Sequence, residues 1–393
     1  MGRRLKVLFL VTRLPVPPWR GDQVRAYHHL RLLAARHDVT CAALVLTRPS
    51  ASACAAVEAL GVRLEVVPLG LAGALPALAR PLLGDRRPLQ VLLFVRARAR
   101  RRLARLMDAG GFDLVHAQLV RAAPYLPPGT AAVIDLIDAL SVNFARRAGR
   151  EHGPLARIAA WEAARLARYE AELVASARTC LVVSETERRA LGAPASLRVV
   201  PNGVDTTTFA YVEAGRPPLR LVFAGNLGYF PNADAATWLL RDILPRVRAA
   251  VPGAELRLVG ARPGRRLRAL AAAPGVSLAA NVPAMAPELA AATLAIVPLR
   301  AGSGLQNKVL EAMAAGTPVV ATPRAVAGIG VVPGEHLLVA DDAEGLAVAA
   351  SALLGDPARA RTLARAARAL VEERYRWEDS AAGVEMAWRT AVP

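Results

Sequence analysis

Apolar residues in this chain come in short unbroken runs, set apart by longer stretches rich in alanine and arginine. In the first half the runs are KVLFLVT, DVTCAALVL, VRLEVVPL, DLVHA, AAVIDLI and TCLVVS, beginning at residues 6, 38, 62, 113, 131 and 179. The second half repeats the rhythm with LRLVFAG, AELRLVG, VSLAA, TLAIVPL, TPVVAT and HLLVA, from residues 219, 254, 276, 293, 317 and 336. Near-continuous apolar strands separated by helical stretches predict parallel sheets covered on both faces. Between the halves, PNGVDTTTFAYVEAGRPP (201–218) is rich in turn formers and lacks periodicity. The pattern therefore predicts an α/β protein of two doubly wound, Rossmann-like domains, residues 1–205 and 206–372. A terminal helical segment, 373–393, carries Trp377 and Trp388. Large aromatics on a last helix indicate docking, on its own domain or back on the first.

The length, 393 residues, exceeds what one ordinary core organises and agrees with two domains. Hydrophobic residues reach 54%, but the longest uncharged run, 269–287, is broken by Pro274, Gly275, Asn281 and Pro283 and would make a poor membrane helix. The apolar stretch before Arg13 is short for a signal-peptide core and reads as a buried first strand. Cys41, Cys54 and Cys180 have neither metal-ligand nor redox spacing, so a cytoplasmic, disulfide-free enzyme is expected.

Charge changes the picture more. The net charge is +18, and of 50 basic residues only Lys6 and Lys308 are lysine. From 86 to 107 there are eight arginines and no acid. Leu92, Val95, Ala99, Leu103 and Leu106 recur there at helical spacing, with Arg96, Arg98, Arg100, Arg101, Arg102 and Arg105 mostly off the stripe. That pattern suits a basic amphipathic helix on an anionic membrane surface, or a solvated face of an arginine-biased protein. No aromatic residues interleave with the arginines, so nucleic acid is not expected as a partner.

The solitary second lysine lies in PLRAGSGLQNKVLEAMAAGTPVVAT, a strand, a glycine loop and a helix read from Leu305 to Ala315. A loop at the carboxyl end of a parallel strand, followed by a helix N-terminus, is an anion site. Lys308 can add a point charge, and Glu311 shares its face three residues on. A carboxylate beside an anion site suits vicinal hydroxyls, so lysine and glutamate together describe a nucleoside diphosphate. The plainer reading of the same spacing is a helical salt bridge.

These residues resemble the donor-binding signature of glycosyltransferase family 4, retaining enzymes of GT-B architecture in which two Rossmann-like domains face each other across a cleft. VVSETERRAL…LRVVPNGVD (182–205) resembles the segment leading to that family's interdomain hinge, and VTRLPVPPWRGDQVRAYHHLRLLAARHDVT its opening strand, loop and helix. PPWRGD and GNLGYFPNADA are most similar to the exopolysaccharide-associated branch. The resemblance implies that Glu311 holds the ribose and that the backbone from Gly302 to Leu305 faces the sugar and β-phosphate. Gly225, Asn226, Arg300, Gly302, Ser303, Gly304, Leu305, Gln306, Asn307, Lys308 and Glu311 would form the donor pocket, with Asn281 and Val282 near the base. Ser303 stands where relatives carry a first glutamate, and Asn226 and Pro231 where they carry diphosphate-gripping cations; Lys308 and Arg300 are the nearest substitutes. On the acceptor side the resemblance points to Arg20, Gly21, Asp22, His116, Gln118 and Asp138, with His116 grouped with Lys308 and Glu311 as catalytic. Helix capping is open as the role of Asp22, Asp138 and Ser141, and a structural role is open for His116.

The implied reaction moves a sugar, with retention, from a nucleotide-sugar donor to a glycan or lipid-linked acceptor in cell-surface polysaccharide synthesis, on the inner face of the membrane. Helix N-termini and fixed cations would stabilise the leaving diphosphate; no cofactor or metal is expected, because the ADD at 340–342 opens a late helix. The competing readings are a basic membrane-associated binding protein with a degenerate donor site, and a nicotinamide-dependent oxidoreductase. The latter needs a G-x-G-x-x-G that LVTRLPVPP and FAGNLGYFP both lack.

Overall fold

In the computed structural model, which describes residues 3–70, 74–213 and 215–392, the chain forms two units. One is Met1–Pro201 with Ser380–Pro393; the other is Asn202–Asp379. The first holds a seven-stranded parallel sheet of β1 (Lys6–Val11), β2 (Asp38–Val45), β3 (Arg63–Pro68), β4 (Leu114–Gln118), β5 (Ala132–Ile137), β6 (Thr179–Val182) and β7 (Leu197–Val199). Their order is β3-β2-β1-β4-β5-β6-β7. Each apolar run named above contains a strand; β7, inside the segment read as leading to the hinge, is the one strand the periodicity missed. At three residues it is too short to show a period.

The second unit holds β8 (Arg220–Ala224), β9 (Glu255–Gly260), β10 (Val276–Ala280), β11 (Leu294–Val297), β12 (Val319–Ala321) and β13 (Leu338–Val339), ordered β10-β9-β8-β11-β12-β13 and all parallel. In both sheets the order reverses beside the first strand of the unit, between β1 and β4 and between β8 and β11. Such switch points open a crevice beyond the strand carboxyl ends, because the flanking connections leave in opposite directions.

The terminal helix Trp377–Ala391 starts in the second unit and belongs to the first from Ser380 onward. There Ala381, Val384, Ala387, Trp388 and Ala391 enter the core formed by Val7, Phe9, Val11, Leu30, Leu33 and Val39. Trp388 is wholly buried, and its indole N–H donates to His116 Nδ1 at 2.9 Å. Ser380 shares a 2.9 Å hydrogen bond with His29 Nε2. Glu385 pairs with Arg36 at 2.7 Å and lies 3.3 Å from His37 Nε2.

Candidate active site

The β8/β11 switch point gathers the lysine, the glutamate and the glycine loop. β8 ends in Gly225, where an added Cβ would stand 3.0 Å from Lys308 Nζ and 3.1 Å from Asn232 Nδ2. Only a glycine lets the ammonium tuck against the strand end. Lys308 donates to Asn232 Oδ1 and lies 5.2 Å over the centre of the Phe223 ring. Asn232 in turn donates to the Asn226 carbonyl at 3.0 Å, so the loop after β8 and the helix Phe230–Trp238 hold the lysine head from two sides. On the facing loop Gly302 has φ 115° and comes within 3.7 Å of Pro231, through the position its Cβ would take.

The helix that follows is Asn307–Ala314, not the span from Leu305 expected above. Gly304 has φ 69°, Leu305 is buried, and Gln306 is extended with its amide turned back to the Ser303 carbonyl at 3.0 Å, so the chain cannot turn helical before Asn307. No side chain caps this N-terminus. Lys308 is thus in the first helical turn, with the unsatisfied amides, rather than a turn further on. Asn307 Oδ1 accepts from Asn202 at 3.0 Å, which secures the start of the helix.

Lys308 and Glu311 are half-buried and do not ion-pair with each other, so the helical salt bridge is not the arrangement found. Burial lowers the lysine to about 8, opposed by the Glu311 charge. Burial raises the glutamate to about 7, opposed by Lys308. Each is held by neutral surroundings at a cost in solvation, and an anion or a diol would relieve it.

Arg300 departs from expectation. Its guanidinium grips Asp234 through two bonds of 3.1 and 2.6 Å and lies 4.6 Å over Trp238. A carboxylate already matches its fork, so it is a poor second cation for a diphosphate. Asn226 accepts from the Gly228 amide at 3.1 Å and shapes the loop. Asn281, exposed and at φ 57°, donates its amide to the Gly260 carbonyl at 3.2 Å and ends β10, with half-buried Val282 beside it. These two lie beyond β9 from the switch point.

In the first unit several expectations are corrected. His116 is no acceptor contact. It is wholly buried in the third position of β4, paired on both sides by β1 and β5, stacked on Phe9 at 4.1 Å and hydrogen-bonded to Trp388. Burial lowers its pKa and keeps the ring neutral. Asp135 is equally sealed, 2.7 Å from Arg25, and is held far below the usual carboxylate range by Arg25 and His116 against the cost of burial. Gln118 is buried and donates to the Asp22 carbonyl at 3.2 Å, tying β4 to the helix Gly21–Ala34. That helix is entered through an extended Arg20, so Asp22 is not its N-cap; Asp22 pairs with Arg13 at 3.0 Å. Gly21 is exposed with open space where a Cβ would be. Asp138 and Ser141 do not cap the helix Leu140–Ala148 either. Buried Glu187 accepts from the Ala139 amide at 2.7 Å, and Glu170 from the Ser141 amide at 3.2 Å. Asp138 itself stays half-buried at the carboxyl end of β5.

Two residues escaped sequence reasoning. Asn232, which receives Lys308, was hidden in a stretch valued for its glycine and proline. Arg121, three residues past β4, donates to the Gln90 amide oxygen at 2.5 Å and feels the charges of Arg13, Asp22, Asp138 and Arg20, while burial lowers its pKa. Its place just beyond a strand end was the available signal.

The arginine segment also differs from a continuous amphipathic helix. It is two helices, Leu89–Leu92 and Ala97–Gly110, parted by an extended Arg96. Ala99 and Leu103, with Leu106 and Met107, pack into the core beside Leu8, Leu10, Leu44 and Val115. Leu92 and Val95 are buried as well. The apolar stripe is consumed by the domain and has no face left for a bilayer; Arg98, Arg100, Arg101, Arg102 and Arg105 remain exposed, and Arg96 is half-buried. Among the described residues no helix is long and apolar enough to cross a membrane.

The chain resembles known proteins along both units. The sequence model described as Glycosyltransferase Family 4 matches residues 19–208, and that described as Glycosyl transferases group 1 matches residues 218–356. No curated protein sequence matches the chain. Sucrose-phosphate synthase from Thermosynechococcus elongatus is 17% identical with a TM-score of 0.74, covering 98% of each chain. Anabaena HepE, solved with UDP-glucose, is 16% identical with a TM-score of 0.68, over 98% of this chain and 100% of that one. TarM of S. aureus, in a complex with UDP, is 9% identical with a TM-score of 0.71, over 98% and 100%. With matches along both units and two parallel Rossmann-like sheets, this chain belongs to the family 4, group 1 glycosyltransferases of GT-B fold.

Proposed function

We propose that this glycosyltransferase takes its sugar from a nucleoside diphosphate sugar held by the second unit and passes it, with retention, to a glycan or lipid-linked acceptor in cell-surface polysaccharide synthesis. The observation that carries the donor reading is the Lys308 ammonium, held by neutral partners at the β8/β11 switch point and in the first turn of an uncapped helix. The N-terminal amides and the ammonium would receive the β-phosphate, where negative charge grows as the glycosidic bond breaks. Glu311, one turn further on, would take the ribose hydroxyls. The reading names no metal, since the leaving charge falls on the lysine and the helix end. HepE and TarM, solved with UDP or UDP-glucose, support a nucleotide donor by likeness of fold.

The acceptor side rests on less of the original set. With His116 and Gln118 buried and Asp22 already paired with Arg13, the groups left on this side are Arg20, Gly21, Asp138 and the added Arg121, whose charges suit hydroxyls or a phosphate. The exposed arginines of Ala97–Gly110 would serve an anionic membrane through charge alone. Thermal shift with UDP, GDP, ADP and NAD tests the donor reading. Stabilisation by one or more nucleoside diphosphates is expected, and stabilisation by NAD alone overturns it.

A further inference from the structure

Beside the arginine helix the first unit contains a cavity of about 300 Å³, lined by Arg80, Arg87, Val95, Ala97, Arg100 and Arg101. Four of its six lining residues are arginines, and its apolar wall is only a valine and an alanine. Asp85 is already spent on Arg87, from which it accepts two hydrogen bonds of 3.0 and 2.6 Å. Arg100 donates to the Pro124 carbonyl at 3.2 Å. Among the described residues, Arg80 Nη1 is buried without a hydrogen-bond partner. So are Nε and Nη2 of Arg96, whose Nη1 donates to the Val95 carbonyl at 3.0 Å. Burial and the nearby Arg80 charge both push the Arg96 guanidinium down, with Tyr125 opposing.

Guanidinium groups brought together, with buried donors left unsatisfied, cost stability unless an acceptor enters. The acceptor must be small, carry more than one negative charge and offer several oxygens, because several guanidinium groups line the same cavity. A carboxylate would leave most of the charge uncompensated, and a nucleotide base would find no aromatic face to stack on. We propose that the cavity, through Arg80, Arg100 and Arg101, is a binding site for a phosphate monoester or diphosphate, separate from the Lys308 site and independent of the donor reading. Exposed Leu78 and Leu83 flank Arg80 in sequence, so the phosphate can belong to a lipid headgroup or to a soluble ester.

The test titrates inorganic pyrophosphate into the full-length Lys308→Met protein by calorimetry, so that the second unit contributes little. Binding is expected, and Arg80→Gln with Arg101→Gln should weaken it at least about tenfold. Arg98→Gln with Arg105→Gln, which removes the same charge from the same surface, should leave it within about twofold. Thermal unfolding of the Arg80/Arg101 variant should match or exceed its parent, since like charges are separated. No binding to Lys308→Met, or equal loss in both double variants, overturns the proposal. Vesicles of phosphatidic acid or phosphatidylserine in phosphatidylcholine, at matched surface charge, separate the sources. A preference for phosphatidic acid that disappears in the Arg80/Arg101 variant assigns a lipid headgroup; pyrophosphate binding without that preference assigns a soluble phosphate.

Discussion

Each unit holds a cation and a carboxylate close together, Arg25 with Asp135 and Lys308 with Glu311, and the two sets are treated in opposite ways. In the first, Arg25 and Asp135 meet at 2.7 Å, both wholly buried, and Arg25 spends a further N–H on the Val200 carbonyl at 3.0 Å. In the second, Lys308 and Glu311 lie three residues apart on one helix without pairing, and the ammonium leans on an amide oxygen and an aromatic ring. A charge matched by an opposite charge has nothing left to give a ligand. A charge held by neutral partners does. The same rule separates Arg300, clamped by Asp234, from Lys308 beside it.

The comparison breaks first on stability. Arg25→Met leaves the Asp135 carboxylate buried without its guanidinium partner, so the first unit should lose about 3–5 kcal/mol, read as faster hydrogen exchange of β4 and β5 amides. Unchanged exchange would mean that the pair is not structural. Lys308→Met should leave stability unchanged or slightly raised, because a poorly solvated ammonium is removed. It should weaken nucleoside diphosphate binding roughly 10- to 100-fold and nucleoside binding hardly at all. Equal loss for both ligands would end the phosphate role.

His116→Phe sharpens the contrast inside the first unit. It leaves the Trp388 N–H without its acceptor, for a loss of about 1–3 kcal/mol, while diphosphate affinity stays at the wild-type value. Lost affinity without lost stability would return His116 to a site. The smallest effect is in pH. Lys308 is lowered to about 8, so the free protein holds its proton below that pH and loses it above. An anion binds the protonated form, so diphosphate affinity should begin to fall near pH 8 and drop by up to about tenfold per unit above it. The fall should be absent in Lys308→Met; persistence there would place the titration elsewhere.

Glu311 gives the matching stability signature. Its pKa is raised from the ordinary value to about 7, so the folded state holds a proton that the unfolded chain releases. The sign follows: that contribution favours folding at low pH and is lost as pH rises toward 7. A carboxylate in an ordinary ion pair behaves the other way, and Asp135 does.

Among the described residues, local pattern alone located twelve of the thirteen strands, and a lysine and glutamate on one helix after a glycine loop, because strand and helix periods are written within a few neighbouring residues. The late Asp342 was legible in the same way, and it caps the helix Ala343–Gly355 through a 2.7 Å bond to the Gly345 amide. What each polar residue does once folded was decided by partners far along the chain. His116 is made a core residue by Trp388, Asp135 by Arg25, and Arg300 is withdrawn by Asp234, at separations of 272, 110 and 66 residues. The apolar stripe of the arginine helix looked free in sequence and is filled by β1 and β2 in space. Periodicity reports which way a side chain points along its own element. Only the packed structure determines what it meets there, and therefore whether its charge is already matched.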